Sequence, residues 1–560
     1  MGNAQSQKTR PPKASGKCKK SRRGSLRHRL SNEKIKLGPG SDSEVPQHID
    51  PHLPAYAPTI ISALKPFYDL TSSANFSSRE TTSAYDQFLR EYPEYQLTQS
   101  LDVLRRSDYR RLERAGETYV DYMGGSLYPE SLVRVHTEFL CGTVLGNTHS
   151  VSNSSTASLK STDEARVAVL SFFKAPPGYT VIFTPNATGA LKLVGEAFPF
   201  ANDSTYILGT DAHNSLHGIR QFATKHGASV VYIPSTPQGG FDLEVAQGLL
   251  EQHRPSRGRP GSTSSLFAIT GQSNVTNTKN PLSTIKYAAS LGYSTLLDAA
   301  ALAPTTSISL EDTPVDAMAV SFYKMFGYPT GVGALVIKKS FLEQLQRPWF
   351  AGGNVDVVQV PGEFVTRSKV HHECFEDGTI NYLMLSAVTE GLRFLSAYLP
   401  LLPLRLSCLT SYLATSLSQL KHESTGKPVV RVLSRIPQKR LRAVGQQSDT
   451  GSTVSLIFLS PSGEIVSNSF VEHSASKANI SLRTGCMCNP GGAAAMLGLG
   501  EDMSQFKFEP GVSRKDVEEM VGREIGVVRI SLGLGSDFQD VWNVIQFAKL
   551  MGKNASLRNQ

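Results

Sequence analysis

The sequence predicts an α/β protein in which a mainly parallel sheet is covered by helices, and two observations carry that expectation. From residue 119 onward, short β-prone runs alternate with longer helical ones, such as "YTVIFT" before "TGALKLVGEAF" and "SVVYIP" before "DLEVAQGLLEQH". Strands joined by crossover helices produce this alternation, and their functional loops belong at the carboxyl ends of the strands. The second observation is that 40% apolar content in 560 residues is ample for a packed interior of two or three structural units. The six cysteines are scattered, with only Cys486 and Cys488 close together, so a disulfide framework is excluded and a reducing compartment is implied.

Taken in order, residues 1–45 read as a disordered basic tail with too little apolar content to fold. Residues 1–36 hold twelve Lys and Arg against Glu33 alone, a charge of +11, which leaves −2 for the rest of the chain. A nearly neutral folded part offers no phosphate-binding face, which argues against nucleic acid as a partner. The tail opens Met1-Gly2-Asn3-Ala4-Gln5-Ser6, the pattern for myristoylation of Gly2, and an acyl chain followed by a polybasic run is the pair of signals that holds a protein at a membrane surface. The expected location is therefore cytoplasmic with membrane association, the other readings being a solvated tail or an Arg-rich mitochondrial presequence, which its few large apolar residues disfavour; phosphorylation of Ser25 in "RRGS" would weaken the electrostatic half of the anchor. No apolar run approaches the ~20 residues that span a bilayer. Residues 46–118 read as an amino-terminal helical segment packed on the main body, residues 119–385 as a large domain and residues 386–560 as a small carboxy-terminal domain.

Within the large domain, "VIFTPNATGALKLVGEAF" is a strand, a small-residue turn and a helix. Free N–H groups at that helix start, with the Thr188 hydroxyl, suit a phosphate, although an ordinary N-cap looks the same. Asp298 ends the apolar run "STLLDAA", where a buried carboxylate is costly unless it meets a cation or a protonated nitrogen. Lys324, in "VSFYKMFGYPTGVGAL", follows another β-prone run. A lone lysine there usually just reaches solvent. Together, however, a lysine for a Schiff base, an acid for a pyridinium nitrogen and an anion site match the needs of pyridoxal 5′-phosphate.

The segments "YVDYMGGSLYP", "GNTHS", "FTPNATGALKLVGEAFPF", "DAHNSLHGIR", "SFYKMFGYPTGVGAL", "FEDGTINY" and "LRTGCMCNPGG", in this order, resemble the class V aminotransferase and cysteine desulfurase group of fold-type I enzymes. Within it they are most similar to the amino-terminal domain of molybdenum cofactor sulfurases, without the carboxy-terminal MOSC domain of that family. The resemblance implies a large domain with a mainly parallel seven-stranded sheet and a smaller α+β domain. It implies Lys324 as the Schiff-base lysine, Asp298 on the pyridine nitrogen, His213 stacked on the ring and Asn274 near the ring hydroxyl. Ala187, Thr188, Ser321 and Tyr323 would hold the phosphate, with Tyr323 standing where desulfurases commonly have histidine. A neighbouring subunit's loop often completes that site in this group, so a homodimer is implied.

The same resemblance implies sulfur transfer from L-cysteine, with Cys488 as the nucleophile and Cys486 as the alternative. Arg529 would grip the substrate carboxylate through a bidentate pairing. Arg483, in the cysteine loop, is a candidate to depress the thiol pKa and to contact substrate. No second Cys or Cys/His cluster completes a zinc site around the cysteine pair, so no metal is expected. In the family the sulfur passes to molybdenum cofactor, which makes that cofactor or a MOSC-containing protein the implied acceptor. The sequence departs from the family pattern at Thr148, Asn354 and Ala493, the last standing in place of a third loop cysteine. Two other readings stay open: another class V reaction that needs no cysteine, such as transamination or a lyase step, and a membrane-tethered scaffold without catalysis.

Overall fold

Side-chain alternation along the apolar runs sets the architecture, which a computed structural model describes for residues 79–255 and 264–554. Gly2, Ser25, the rest of the basic tail and residues 46–78 of the expected helical segment lie outside the described residues.

Seven strands form the main sheet: β1 (Tyr179–Thr184), β2 (Thr205–Gly209), β3 (Ser229–Ile233), β4 (Leu266–Thr270), β5 (Ser294–Asp298), β6 (Ala317–Ser321) and β7 (Gly333–Lys338). Their order is β1-β7-β6-β5-β4-β2-β3. All adjacent pairs are parallel except those of β7, which runs antiparallel to both β1 and β6. Ile182 of β1 joins Leu208, Ala268, Leu296 and Leu335 in one apolar cluster, with the helix Ala187–Ala197 against it. The neighbouring Val181 and Phe183 join Ile207, Phe267, Leu297 and Val320 in another. The period of two thus sends alternate residues to opposite faces, and β4 and β6 are buried along their whole length, as strands covered on both sides must be.

A second sheet is fully antiparallel. It contains β8 (Val430–Val432), β9 (Thr453–Phe458), β10 (Arg483–Gly485) and β11 (Val527–Ser531) in the order β8-β9-β11-β10. The strand Thr118–Tyr119 runs parallel to Ile480–Ser481, which brings Asp121 beside β11 at Ser531.

The described part of the amino-terminal segment is helical, with helices Arg79–Glu91, Ser100–Asp108 and Arg110–Ala115. It is anchored by an aromatic cluster in which the buried Phe88 ring lies 5.0 Å from Tyr95 and 5.1 Å from both Tyr412 and Phe538. Truncating such a core ring costs about 3–5 kcal/mol. Arg105 adds ion pairs to Asp540 at 2.7 Å and Asp537 at 3.0 Å, and buried Arg405 pairs with Asp102. Among the described residues no single helix is long and apolar enough to cross a membrane.

Candidate active site

The carboxyl ends of β1, β2, β4, β5 and β6 open on one cavity of about 110 Å³. It is lined by Ala187, Thr188, His213, Asn274, Asp298, Ser321, Tyr323 and Lys324, so residues singled out from distant stretches of sequence meet in one place. Cys488, Arg483 and Arg529 stand outside that lining, on the neighbouring loop and second sheet. Lys324 does not sit at a strand end. It belongs to the short helix Phe322–Phe326 that follows β6, because Phe322 and Phe326 turn inward to the core and leave the lysine on the cavity side.

Each side chain is held by local chemistry. Asn186 caps the helix Ala187–Ala197, its Oδ1 accepting from Gly189 N at 3.0 Å. Ala187 N donates to Ser321 Oγ at 2.8 Å, which ties the helix start to the end of β6 but commits the N–H expected to meet a phosphate. The Thr188 and Ser215 hydroxyls are 2.8 Å apart. His213 Nδ1 accepts from Ser215 N at 3.1 Å, which places the proton of a neutral ring on Nε2. Burial holds the His213 pKa below the usual histidine value, with the Lys324 charge adding and Asp298 opposing. Asp298 is 7% exposed, and its Oδ1 accepts from Ala300 N at 3.0 Å, which fixes the plane of the carboxylate. Burial likewise depresses the Lys324 pKa, Asp298 and Asp121 opposing the shift and Arg529 and Arg483 adding to it.

The cysteine loop approaches from the second sheet. Cys488 is exposed, whereas Cys486 is half-buried and its Sγ lies 3.2 Å from the Ile525 carbonyl. Burial pushes the Cys486 thiol up, and the guanidinium that opposes this is Arg514. Arg483 is engaged elsewhere, pairing with Asp121 Oδ2 at 2.8 Å. Arg529, 2% exposed, donates to Asp121 Oδ1 at 2.7 Å and to the Asn274 carbonyl at 3.0 Å. One carboxylate therefore bridges both arginines, and the two expected to meet a substrate carboxylate already share a protein one. Asn274 spends one amide N–H on the Met487 carbonyl at 2.7 Å and its Oδ1 on Asn489 at 3.1 Å, leaving one N–H for a ligand. Of the departures, Asn354 is fully buried, donating to Asp377 Oδ1 at 2.9 Å, and Ala493 is buried in the helix Pro490–Met496, its N–H donating to the Asn489 carbonyl at 3.2 Å.

Sequence reasoning missed Asp121, Ser215, Thr270 and Gln272. Asp121 sits in "YVDYMGG", where Gly124 leaves room for its ion pair: a Cβ there would lie 2.4 Å from Asp121 Oδ2 and 2.8 Å from Arg483 Nη2. The polar residue between buried Val120 and Tyr122 was the available signal. Thr270 and Gln272 line the cavity with Oγ1, Nε2 and Oε1 buried and without a hydrogen-bond partner among the described residues. Orphaned donors and acceptors of this kind are expensive unless a ligand meets them. Together with a lysine amine, a buried carboxylate, a hydroxyl cluster at a helix start and a ring-sized imidazole, they fit pyridoxal 5′-phosphate.

Comparison with known proteins points the same way. The model of the class-V aminotransferases matches residues 118–544. The chain is 34% identical over 498 residues to the molybdenum cofactor sulfurase of Solanum lycopersicum, covering 83% of this chain and 59% of that protein. It is 33% identical over 469 residues to that of Bos taurus, covering 80% and 51%. The chain thus spans between half and three-fifths of the length of these relatives. The fold is similar to that of an apo cysteine desulfurase from Thermococcus onnurineus, with TM-score 0.63 and 21% identity over 81% of this chain and 98% of that one. The Escherichia coli cysteine desulfurase CsdA gives TM-score 0.62 and 20% identity over 80% and 98%. The chain belongs to the class-V aminotransferase family, whose members use pyridoxal 5′-phosphate.

Proposed function

We propose that this protein is a pyridoxal phosphate-dependent sulfurtransferase of the cysteine desulfurase type, which moves the sulfur of L-cysteine onto Cys488. The observation that carries the reading is the docking of the Cys488 loop on the cavity, where the Cys488 carbonyl accepts from Asn214 N, next to His213, at 2.7 Å. The relatives named molybdenum cofactor sulfurase support it.

When bound, the cofactor supplies a carbonyl for amines and an electron-withdrawing ring. Lys324 would hold it covalently, Asp298 would keep its ring nitrogen protonated, and Ser321, Thr188 and Ser215 would receive the phosphate. Neutral His213, its Nε2 carrying the proton, would cover one ring face. The depressed pKa of Lys324 leaves its amine available to take a proton from the substrate Cα. Arg529 and Arg483 would receive the substrate carboxylate in competition with Asp121. The Cys488 thiolate attacks the substrate sulfur: an S–S bond forms, the Cβ–S bond breaks, and the carbon skeleton takes up a proton to leave as alanine. The exposed Cys488 suits this step better than Cys486, whose thiol is raised by burial.

The acceptor we propose is molybdenum cofactor or a protein with a MOSC domain that carries it. A homodimer is supported by an apolar surface at the hairpin Val355–Val358 and Val365–Arg367, where Trp349, Phe350, Val360 and Phe364 are exposed. For the basic tail we propose a myristoyl group on Gly2 and electrostatic attachment to an anionic membrane. Fractionation should then find Gly2→Ala released from membranes, and an unchanged distribution would discard the anchor. For the central reading, the loaded protein is given L-cysteine: alanine release with the extra sulfur mapped to Cys488 is expected. Full turnover in the Cys486→Ser/Cys488→Ser double variant would favour a transamination or lyase reaction instead.

A further inference from the structure

Asp211 is 3% exposed and lies two residues before His213, yet it forms no salt bridge among the described residues. Its Oδ1 accepts from Ser273 Oγ at 2.6 Å and Asn489 Nδ2 at 2.7 Å, and its Oδ2 from Thr276 Oγ1 at 2.7 Å and Gly240 N at 2.8 Å. A buried carboxylate without a countercharge is costly, and here four donors offset that cost, so Asp211 holds whatever supplies them. Asn489, fully buried, immediately follows Cys488. Beyond it, a Cβ on Gly491 would stand 2.1 Å from the Thr210 carbonyl oxygen, and one on Gly492 would stand 2.4 Å from Asp211 Oδ1. Only glycine permits this approach.

The segment before Asn489 is held as well. Met487 and Cys488 have φ of 50° and 56°, a left-handed conformation that costs a non-glycine residue of order 1 kcal/mol or more and persists only where surroundings enforce it. The enforcing bonds run from Asn274 Nδ2 to the Met487 carbonyl and from Asn214 N to the Cys488 carbonyl, both at 2.7 Å.

We propose that Asp211 and the Asn489–Gly491–Gly492 segment form a latch, in which the cysteine loop is seated on the loop that carries His213 and the Cys488 thiol is fixed at the mouth of the cavity. Asp211 and Asn489 are then positioning residues for sulfur transfer; the inference rests on the sulfurtransferase reading above. A reacting atom displaced by about 1 Å can lose about 10²-fold in rate, so the latch bears chiefly on the transfer step.

The test compares full-length, cofactor-loaded wild type with Asn489→Asp and Gly491→Ala. Asn489→Asp keeps the oxygen that accepts from Gly492 N at 3.0 Å but sets a carboxylate against Asp211, and Gly491→Ala places a methyl group against Thr210. Persulfide formation is expected to slow by about tenfold or more in both variants, and in Gly491→Ala, which leaves the Asn489–Asn274 bond in place, KM for cysteine should stay within about twofold with cofactor absorbance unchanged. Hydrogen exchange at the Asn214 amide should accelerate in both variants, a readout independent of turnover. Wild-type persulfide rates together with wild-type Asn214 exchange in both variants would overturn the latch. Absence of persulfide in the wild type overturns the sulfurtransferase reading instead, and Asn214 exchange then decides the latch alone.

Discussion

The two halves of the site are built by different means. On the cofactor side, Thr188, His213, Asn274, Asp298 and Lys324 each follow or end a separate strand of one mainly parallel sheet, so backbone ladders fix their spacing. On the sulfur side, the β10–β11 ladder sets Arg483 opposite Arg529, but the Asp121 carboxylate that bridges them and the seat of the Cys488 loop depend on side-chain bonds across elements. Ladder-built geometry tolerates loss of one member, whereas side-chain-built geometry depends on each bond. Cofactor retention and sulfur transfer should therefore be separable by mutation.

The largest expected effect lies on the cofactor side. Lys324→Ala should lower cysteine turnover at least about 10³-fold and abolish borohydride-fixed attachment of the cofactor, read by mass spectrometry of the reduced protein. The same adduct in that variant would remove Lys324 from its role. Next comes the sulfur side, where Cys488→Ser should lose about 10²-fold or more in alanine release while its absorbance spectrum stays that of the wild type. Cys486→Ser should retain most activity, and the reverse ranking would move the nucleophile by two residues.

Between the two halves, charge gives a graded effect. Asp298 favours the protonated form of Lys324, so Asp298→Asn should lower the lysine pKa further and shift reconstitution of the apo-protein with pyridoxal phosphate to lower pH. Arg529 disfavours that form, so Arg529→Gln should shift the profile to higher pH. Stopped-flow absorbance across pH measures both, and equal profiles would uncouple Arg529 from the cavity. The smallest effect is expected for Thr270→Val. Removing a hydroxyl that has no partner among the described residues should change thermal stability without cofactor by less than about 1 kcal/mol while loosening cofactor retention a few-fold.

Legibility followed the same division. "YTVIFT", "SVVYIP", "SLFAIT" and "STLLDAA" mark strands because period, β-branching and punctuation are local, and their ends place Thr188, Asn274 and Asp298. The Asp121 bridge was not legible, since its partner Arg529 is 408 residues away and nothing local says that two arginines share a carboxylate. Arg483 was expected beside the thiols because it shares their loop, but β10 turns it toward Asp121. The helical turn carrying Lys324 was hidden in a run whose aromatics read equally well as strand.

The threading of β7 between β1 and β6 has a consequence for synthesis of the chain on the ribosome. Among the described residues β1 lies at the sheet edge with β7 as its one neighbour, and β7 is made after the other described strands of that sheet. Until Gly333–Lys338 emerges, β1 is a nascent apolar segment with an unpaired ladder, and β6 lacks the neighbour that separates it from β1. Pairing across so long a stretch is slow, and exposed edges invite association with other chains. A holding chaperone that covers residues 179–184 during this interval would raise yield without touching the finished enzyme.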